Sequence, residues 1–250
     1  MNKTKTKVVA FDMEGVIFRS KINFSLNGKD YVGGIWTLLC DILGPEASKK
    51  NMENYERFRH RHDPKHKDDP YYGYFHFVED TIDIFKNYGL KEKKGLTKTQ
   101  FEDVIKSVPY FPGVAETFRK LQEHGIRIAL ISGGLKALAD RVILDYGIDS
   151  SHTSAELFWE GETLHRWNIS PTDFEHKKTL IESLHRDLGI KHKEIMFVGD
   201  GDNDKHIADY CGVAIAFNPT GTELHNYCSE VIKQEVGQED LSAILSYVHW

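Results

Sequence analysis

The sequence has 250 residues, 40% of them hydrophobic, with 38 acidic against 32 basic side chains and a formal net charge of -6. That is enough apolar material for one large domain, or a domain carrying an insertion, to bury its own core without staples. Charges of both signs are interspersed, which excludes a basic nucleic-acid track or an acidic tail and points to small-molecule partners, with neither nucleic acid nor membrane among them. Cys40, Cys211 and Cys228 form no CxxC pair, so neither a zinc knuckle nor a disulfide framework is expected, and a reducing cytoplasm is the expected location. Lys3, Lys5 and Lys7 precede an apolar stretch, but residues 8–11 are too short for a signal-peptide core and Asp12 interrupts them. No stretch is long and apolar enough to span a bilayer.

In chain order, residues 7–11 read as a short buried strand, because β-branched and aromatic residues run without alternation into the acidic turn Asp12-Met13-Glu14-Gly15. From about residue 20 to 108 buried strands are absent, and helices are expected over about 31–43, 47–59, 75–88 and 97–106. The last opens on a capping box of Thr97 and Gln100. Beyond it come a helix over 113–124, a buried strand over 126–131 ending in Ser132-Gly133-Gly134, and a helix over 135–146. A β-hairpin is expected over 157–169 around Glu160-Gly161, then a helix over 175–188. A strand over 194–198 ends in Gly199-Asp200-Gly201-Asp202-Asn203-Asp204, and one over 213–217 ends in Asn218-Pro219. Strand alternating with helix specifies the α/β class with a doubly wound, Rossmann-like parallel sheet, whose ligands bind beyond the carboxyl ends of the strands. The expected organisation is a core of residues 1–20 and 109–250 with a helical cap, 21–108, inserted in it.

Four short motifs fall on that edge. Asp12 and Glu14 are two carboxylates two positions apart at a strand end, which repel unless a cation or shared proton lies between them. One can act as nucleophile while the other serves as acid or base; the plain alternative is a solvated acidic turn. The run 199–204 concentrates oxygen ligands suited to magnesium. A calcium loop does not fit, since the twelfth position counted from Asp200 is Cys211 instead of a glutamate. Ser132, with the backbone N–H groups of Gly133 and Gly134, can hold phosphate oxygens at a helix start, and Lys177 offers a cation there or is a solvated surface charge.

Taken together and in this order, the motifs resemble those of the haloacid dehalogenase-like superfamily: an aspartate followed two residues later by a second acid, a Ser or Thr after a strand, a lysine, and a GD-rich acidic turn. The insertion between the first two motifs matches the family's cap placement, and residues 131–134 and 198–204 look most like the phosphoserine phosphatase branch. The resemblance implies a magnesium-dependent phosphomonoesterase acting on a small phosphorylated metabolite through an aspartyl phosphate. It implies that Asp12 is the nucleophile and Glu14 the acid that protonates the leaving alkoxide and then activates water. Magnesium would be held by Asp12, the backbone carbonyl of Glu14 and Asp200, with Asp204 supporting them. Asn203 would face phosphate or substrate, and Ser132, Gly133 and Lys177 would bind phosphoryl oxygens.

Glu14 stands where most of the family has aspartate, and its extra methylene moves the carboxyl by about 1.5 Å. Asp-x-Glu-Gly also occurs in enolase-phosphatases and in a phosphoserine:homoserine phosphotransferase, so transfer to an acceptor hydroxyl is the alternative reading. A dehalogenase needs no acid for a halide leaving group, which sets Glu14 against that chemistry. A receiver-like phospho-acceptor needs neither a cap nor a second acidic cluster. Where phosphoserine phosphatases carry a cap glutamate this chain has Lys21, and residues 75–85 hold no arginine, so the resemblance does not reach the serine-binding groups. Residues 57–74 are rich in Arg, His and Tyr and read either as a solvated loop or as a reach toward a second anionic or aromatic part of the substrate.

Overall fold

The computed structural model describes residues 4–60, 73–89 and 95–250. The chain forms two compact units, one of Met1–Arg19, Pro109–Ser154 and Pro171–Trp250, the other of Ser20–Val108 and Ala155–Ser170.

In the first unit, β1 (Val8–Phe11) lies between β4 (Arg127–Leu135) and β7 (Ile195–Gly199), followed outward by β8 (Val213–Phe217) and β9 (Glu230–Ile232), with β5 (Ser150–Glu160) next to β4 on the other side. The pairs β1–β4, β1–β7, β7–β8 and β8–β9 are parallel. A parallel sheet is covered on both faces, which is why β1, β7 and β8 are unbroken apolar runs, buried throughout. One face packs Val8, Ala10, Ile131, Phe197 and Ala216 against Ile181 of α7 (Glu175–Leu188) and Ile207 of α8 (Lys205–Tyr210). Toward α5 (Val114–Glu123), Phe11 meets Phe118 with ring centroids 5.3 Å apart. Register aligns the strand ends: Phe11 is level with Leu130 of β4 and Val198 of β7. Asp12 therefore leaves β1 level with Ile131 of β4 and Gly199 of β7, and its N–H still donates to the Val198 carbonyl at 3.0 Å.

Residues 126–131 were expected to end a strand at Ser132, but β4 continues to Leu135 and α6 (Lys136–Tyr146) follows directly. Ser132, Gly133 and Gly134 are thus extended strand-end residues, and the expected seat at a helix N-terminus is not what their N–H groups form.

The second unit corrects the expectation of a purely helical insertion. It holds a hairpin, β2 (Ile22–Leu26) and β3 (Lys29–Gly33), turned by Asn27 and Gly28 with φ of 52° and 76°. Positive φ at both central residues is the type I′ turn that Asn-Gly favours between strands. Tyr31 to Gly33, expected to begin a helix, is strand, and α1 starts later, at Ile35–Asp41. The further helices α2 (Pro45–Arg59), α3 (Tyr74–Asn87) and α4 (Lys98–Ser107) follow the expected pattern. At the start of α4 the capping box is formed: Gln100 N–H donates to Thr97 Oγ1 at 3.1 Å and Thr97 N–H to Gln100 Oε1 at 3.0 Å. Residues 155–169 form an antiparallel hairpin from the end of β5 with β6 (Thr163–Ile169), as expected, but they group with this second unit and not with the core.

Candidate active site

Three carboxylates from two strand ends meet in the first unit, where oxygens of Asp12, Asp200 and Asp204 lie within 4.8 Å of one another, all buried. Asp12 follows β1, and its Oδ1 accepts the Met13 N–H at 2.7 Å, which fixes the rotamer from within the turn. Asp200 follows β7; Asp204 sits at the foot of α8, with Oδ2 accepting the Asp200 N–H at 3.1 Å.

Glycines make this closeness possible. A Cβ on Gly15, which has φ +84°, would lie 2.3 Å from Asp200 Cγ. A Cβ on Gly199 would lie 2.2 Å from Asp204 Oδ2, and one on Gly201 2.2 Å from Asn203 Oδ1. Asp202 in the same run turns away: its carboxylate accepts the N–H groups of Thr222, Glu223 and Leu224 at 3.1, 2.8 and 2.9 Å and holds the following loop.

Lys177 stands among the acids. It is the third residue of α7 and fully buried, with Nζ donating to Asp12 Oδ2 at 2.7 Å and to Asp204 Oδ1 at 2.6 Å. The surface alternative for this lysine is thereby set aside. Burial works to lower its pKa, but the charges of Asp12, Asp204 and Asp173 outweigh that and hold the ammonium well above the ordinary lysine range. Burial, reinforced by the charges of Asp12 and Asp204, raises Asp200 well above the carboxylate range. Burial likewise raises Asp204, opposed by Lys177. Four buried aspartates around one ammonium leave a deficit of positive charge, and a divalent cation on the Asp12, Asp200 and Asp204 oxygens would relieve it. The donor set is all oxygen, which suits a hard cation.

Glu14 and Ser132 come together beside Gly134, where a Cβ would lie 3.3 Å from Glu14 Oε2 and 3.4 Å from Ser132 Oγ. Gly134 N–H donates to Ser132 Oγ at 3.2 Å, and the buried Thr172 hydroxyl donates to the Ser132 carbonyl at 2.9 Å. Gly133 lies between these residues in β4, also buried. Asn203 differs from its expected posture, because its side-chain amide donates to Asp173 Oδ1 at 2.7 Å. Asp173 was missed in the sequence, as were Thr172 and Thr220, whose N–H donates to the Asp200 carbonyl at 2.9 Å. An Asp–Lys pair spaced i, i+4 across a helix start was the available signal for Asp173.

The family model described as hydrolase, haloacid dehalogenase-like hydrolase, matches residues 6–208. The chain belongs to this family. Haloacid dehalogenase-like hydrolases similar to it include a phosphoserine phosphatase of Archaeoglobus fulgidus, 30% identical over 125 residues, which are 50% of this chain and 36% of that protein. One of Albidiferax ferrireducens is 30% identical over 131 residues, 50% of this chain and 55% of the relative. The match thus spans about half or less of these relatives' own lengths. Among solved structures, a substrate-bound phosphoserine phosphatase complex superposes with a TM-score of 0.72 at 17% identity, covering 98% of this chain and 99% of that one. At that identity the likeness is one of fold, and it agrees with the Rossmann-like sheet.

Of the Arg/His-rich run, the described residues are 57–60 and 73–74. Arg57 pairs with Asp80 at 3.3 Å and Arg59 with Glu56 at 3.5 Å, all four side chains exposed, while Phe58 stacks on Phe77. Arg61, His62 and the rest of the run to Tyr72 lie outside the described residues. Among the described residues no helix is long and apolar enough to cross a membrane.

Proposed function

We propose that this chain is a magnesium-dependent phosphomonoesterase acting on a small phosphorylated metabolite. The observation that carries the reading is the buried contact of Lys177 with Asp12 and Asp204 beside Asp200, a charge arrangement with no structural economy of its own. Asp12, Asp200, Asp204 and the Glu14 backbone carbonyl would hold the ion; when bound, it neutralises charge that would otherwise keep phosphate from the nucleophile.

In this reading an Asp12 carboxylate oxygen forms the bond to phosphorus as the bond to the ester oxygen breaks, and Glu14 gives its proton to the departing alkoxide. Glu14, now ionised, takes a proton from water, which attacks phosphorus and releases phosphate, restoring both carboxyl groups. Lys177, Ser132 and Gly133 hold the phosphoryl oxygens, since phosphoryl transfer depends on positioning and electrostatics. In this reading residues 21–108 are the inserted cap.

Phosphate release from a panel of phosphoserine, phosphothreonine, sugar phosphates, nucleotides and pyridoxal phosphate, with magnesium and with EDTA, tests the reading. Metal-dependent turnover of one compound supports it and names the substrate. Silence with water, followed by a phosphorylated product when acceptor alcohols are added, replaces hydrolysis by phosphotransfer. Silence in both arms removes it.

A further inference from the structure

Asp173 belongs to none of the four motifs, yet it is buried between two of their residues. Its Oδ1 accepts the Asn203 side-chain amide at 2.7 Å and lies 3.5 Å from Lys177 Nζ. The second distance is longer than a charge-assisted hydrogen bond, so the contact with Lys177 is electrostatic while that with Asn203 is a directed bond. The residue that follows, Phe174, has φ 53° and ψ -130°, an unusual backbone for a non-glycine, and α7 begins directly after it. A strained turn therefore aims this carboxylate inward, next to acids that already outnumber the positive charge. Another buried carboxylate makes that deficit worse. Its electrostatics oppose phosphate binding, so stability and affinity do not account for its presence.

Geometry does. With Nδ2 donating to Asp173 and Oδ1 against Gly201, where a Cβ would lie 2.2 Å away, the Asn203 amide has one orientation. Lys177 is drawn from a third side, against Asp12 and Asp204. We infer that Asp173 is a positioning residue that fixes the Asn203 amide and centres the Lys177 ammonium on Asp12. This inference rests on the phosphatase reading for its kinetic consequence, though not for its geometric one.

The test uses Asp173→Ala and Asp173→Asn in the full chain, with kcat and KM on the substrate found by the panel, melting temperature, and the Asn203 side-chain NH2 resonances, assigned through Asn203→Ala. Expected are a kcat at least tenfold lower in Asp173→Ala with KM within threefold and no lower melting temperature. Partial recovery is expected in Asp173→Asn, which keeps an acceptor oxygen for Asn203. In Asp173→Ala the downfield shift of one Asn203 amide proton should disappear. A kcat within twofold of wild type in folded Asp173→Ala overturns the inference, as does a kcat loss matched by lost stability with no recovery in Asp173→Asn. If Asp173→Ala does not fold, Asp173→Glu decides: it keeps the charge and displaces the carboxylate, so a tenfold loss supports positioning and wild-type kcat refutes it. Wild-type protein silent on every substrate defeats the phosphatase reading instead, and the Asn203 resonances then decide the positioning alone, an unchanged pair overturning it.

Discussion

In the first unit four buried carboxylates, Asp12, Asp173, Asp200 and Asp204, gather near the buried ammonium of Lys177. In the second unit, pairs such as Arg57 with Asp80 and Lys98 with Glu102 lie at the surface, and the polar side chains buried in α2 are neutral amides, Asn51 and Asn54. A solvated pair contributes roughly 0–1 kcal/mol, whereas burying charge costs several kcal/mol for each ion unless partners compensate. The first arrangement persists because something besides stability keeps it. The second can be altered charge by charge with little consequence. The difference supports placing the proposed chemistry in the first unit.

The sharpest way to break the comparison is at Asp12. Asp12→Asn keeps the shape and an acceptor for the Met13 N–H but removes the proposed nucleophile, so phosphate release should fall by on the order of a thousandfold or more while the circular dichroism spectrum stays that of wild type. Appreciable turnover in that variant would take the nucleophile's role away from Asp12.

Lys177→Met comes next. It leaves Asp12, Asp173 and Asp204 without their ammonium, and breaking a buried charge set from one side costs about 3–5 kcal/mol. Activity and thermal stability should fall together, with a melting temperature lower by roughly 10 °C. A folded, wild-type-stable Lys177→Met would mean that the acids are held by something other than this lysine.

Metal removal should act on the same cluster. Magnesium at about a hundred times its dissociation constant adds about 2.7 kcal/mol to a protein that binds it only when folded. Adding magnesium to EDTA-treated protein should therefore raise the melting temperature of wild type and leave Asp200→Asn nearly unmoved. An equal rise in both would place the ion away from Asp200.

Much of the first unit was legible because a parallel strand buried on both faces writes itself as an unbroken apolar run, and β1, β7 and β8 are such runs. The end of β4 was misjudged because Ser132-Gly133-Gly134 has the composition of a turn, yet the strand runs on through it to Leu135. Asp12, Asp200 and Asp204 stood out by lying at strand ends, whereas Asp173 sits in a loop whose path is set by tertiary contacts with Ser132 and Asn203. The hairpin of β2 and β3 carried its signal openly in Asn27-Gly28 and was hidden only by the helical pattern beyond it. Arg57 and Arg59 remain open to test: with both exposed and paired along the surface, the double alanine variant should leave KM within about twofold. A large rise in KM would bring this helix end into substrate binding.

The smallest effect is expected where the second unit uses a carboxylate structurally. Glu162, in the turn between β5 and β6, accepts the Thr99 N–H at 3.0 Å and the Thr99 hydroxyl at 3.1 Å, satisfying the first turn of α4 from another segment. These bonds, the backbone N–H of Thr99 first, hold its carboxyl below the ordinary glutamate range. A depressed folded pKa contributes stability that is present above the unfolded value, about 4.3, and is lost as pH falls through the folded value. Glu162→Gln should therefore melt slightly earlier than wild type at pH 7, by a degree or two at most for so exposed a group, and the gap should close below about pH 4. A gap unchanged down to pH 3 would show that the amide's lost packing, and not the carboxylate's charge, accounts for the difference.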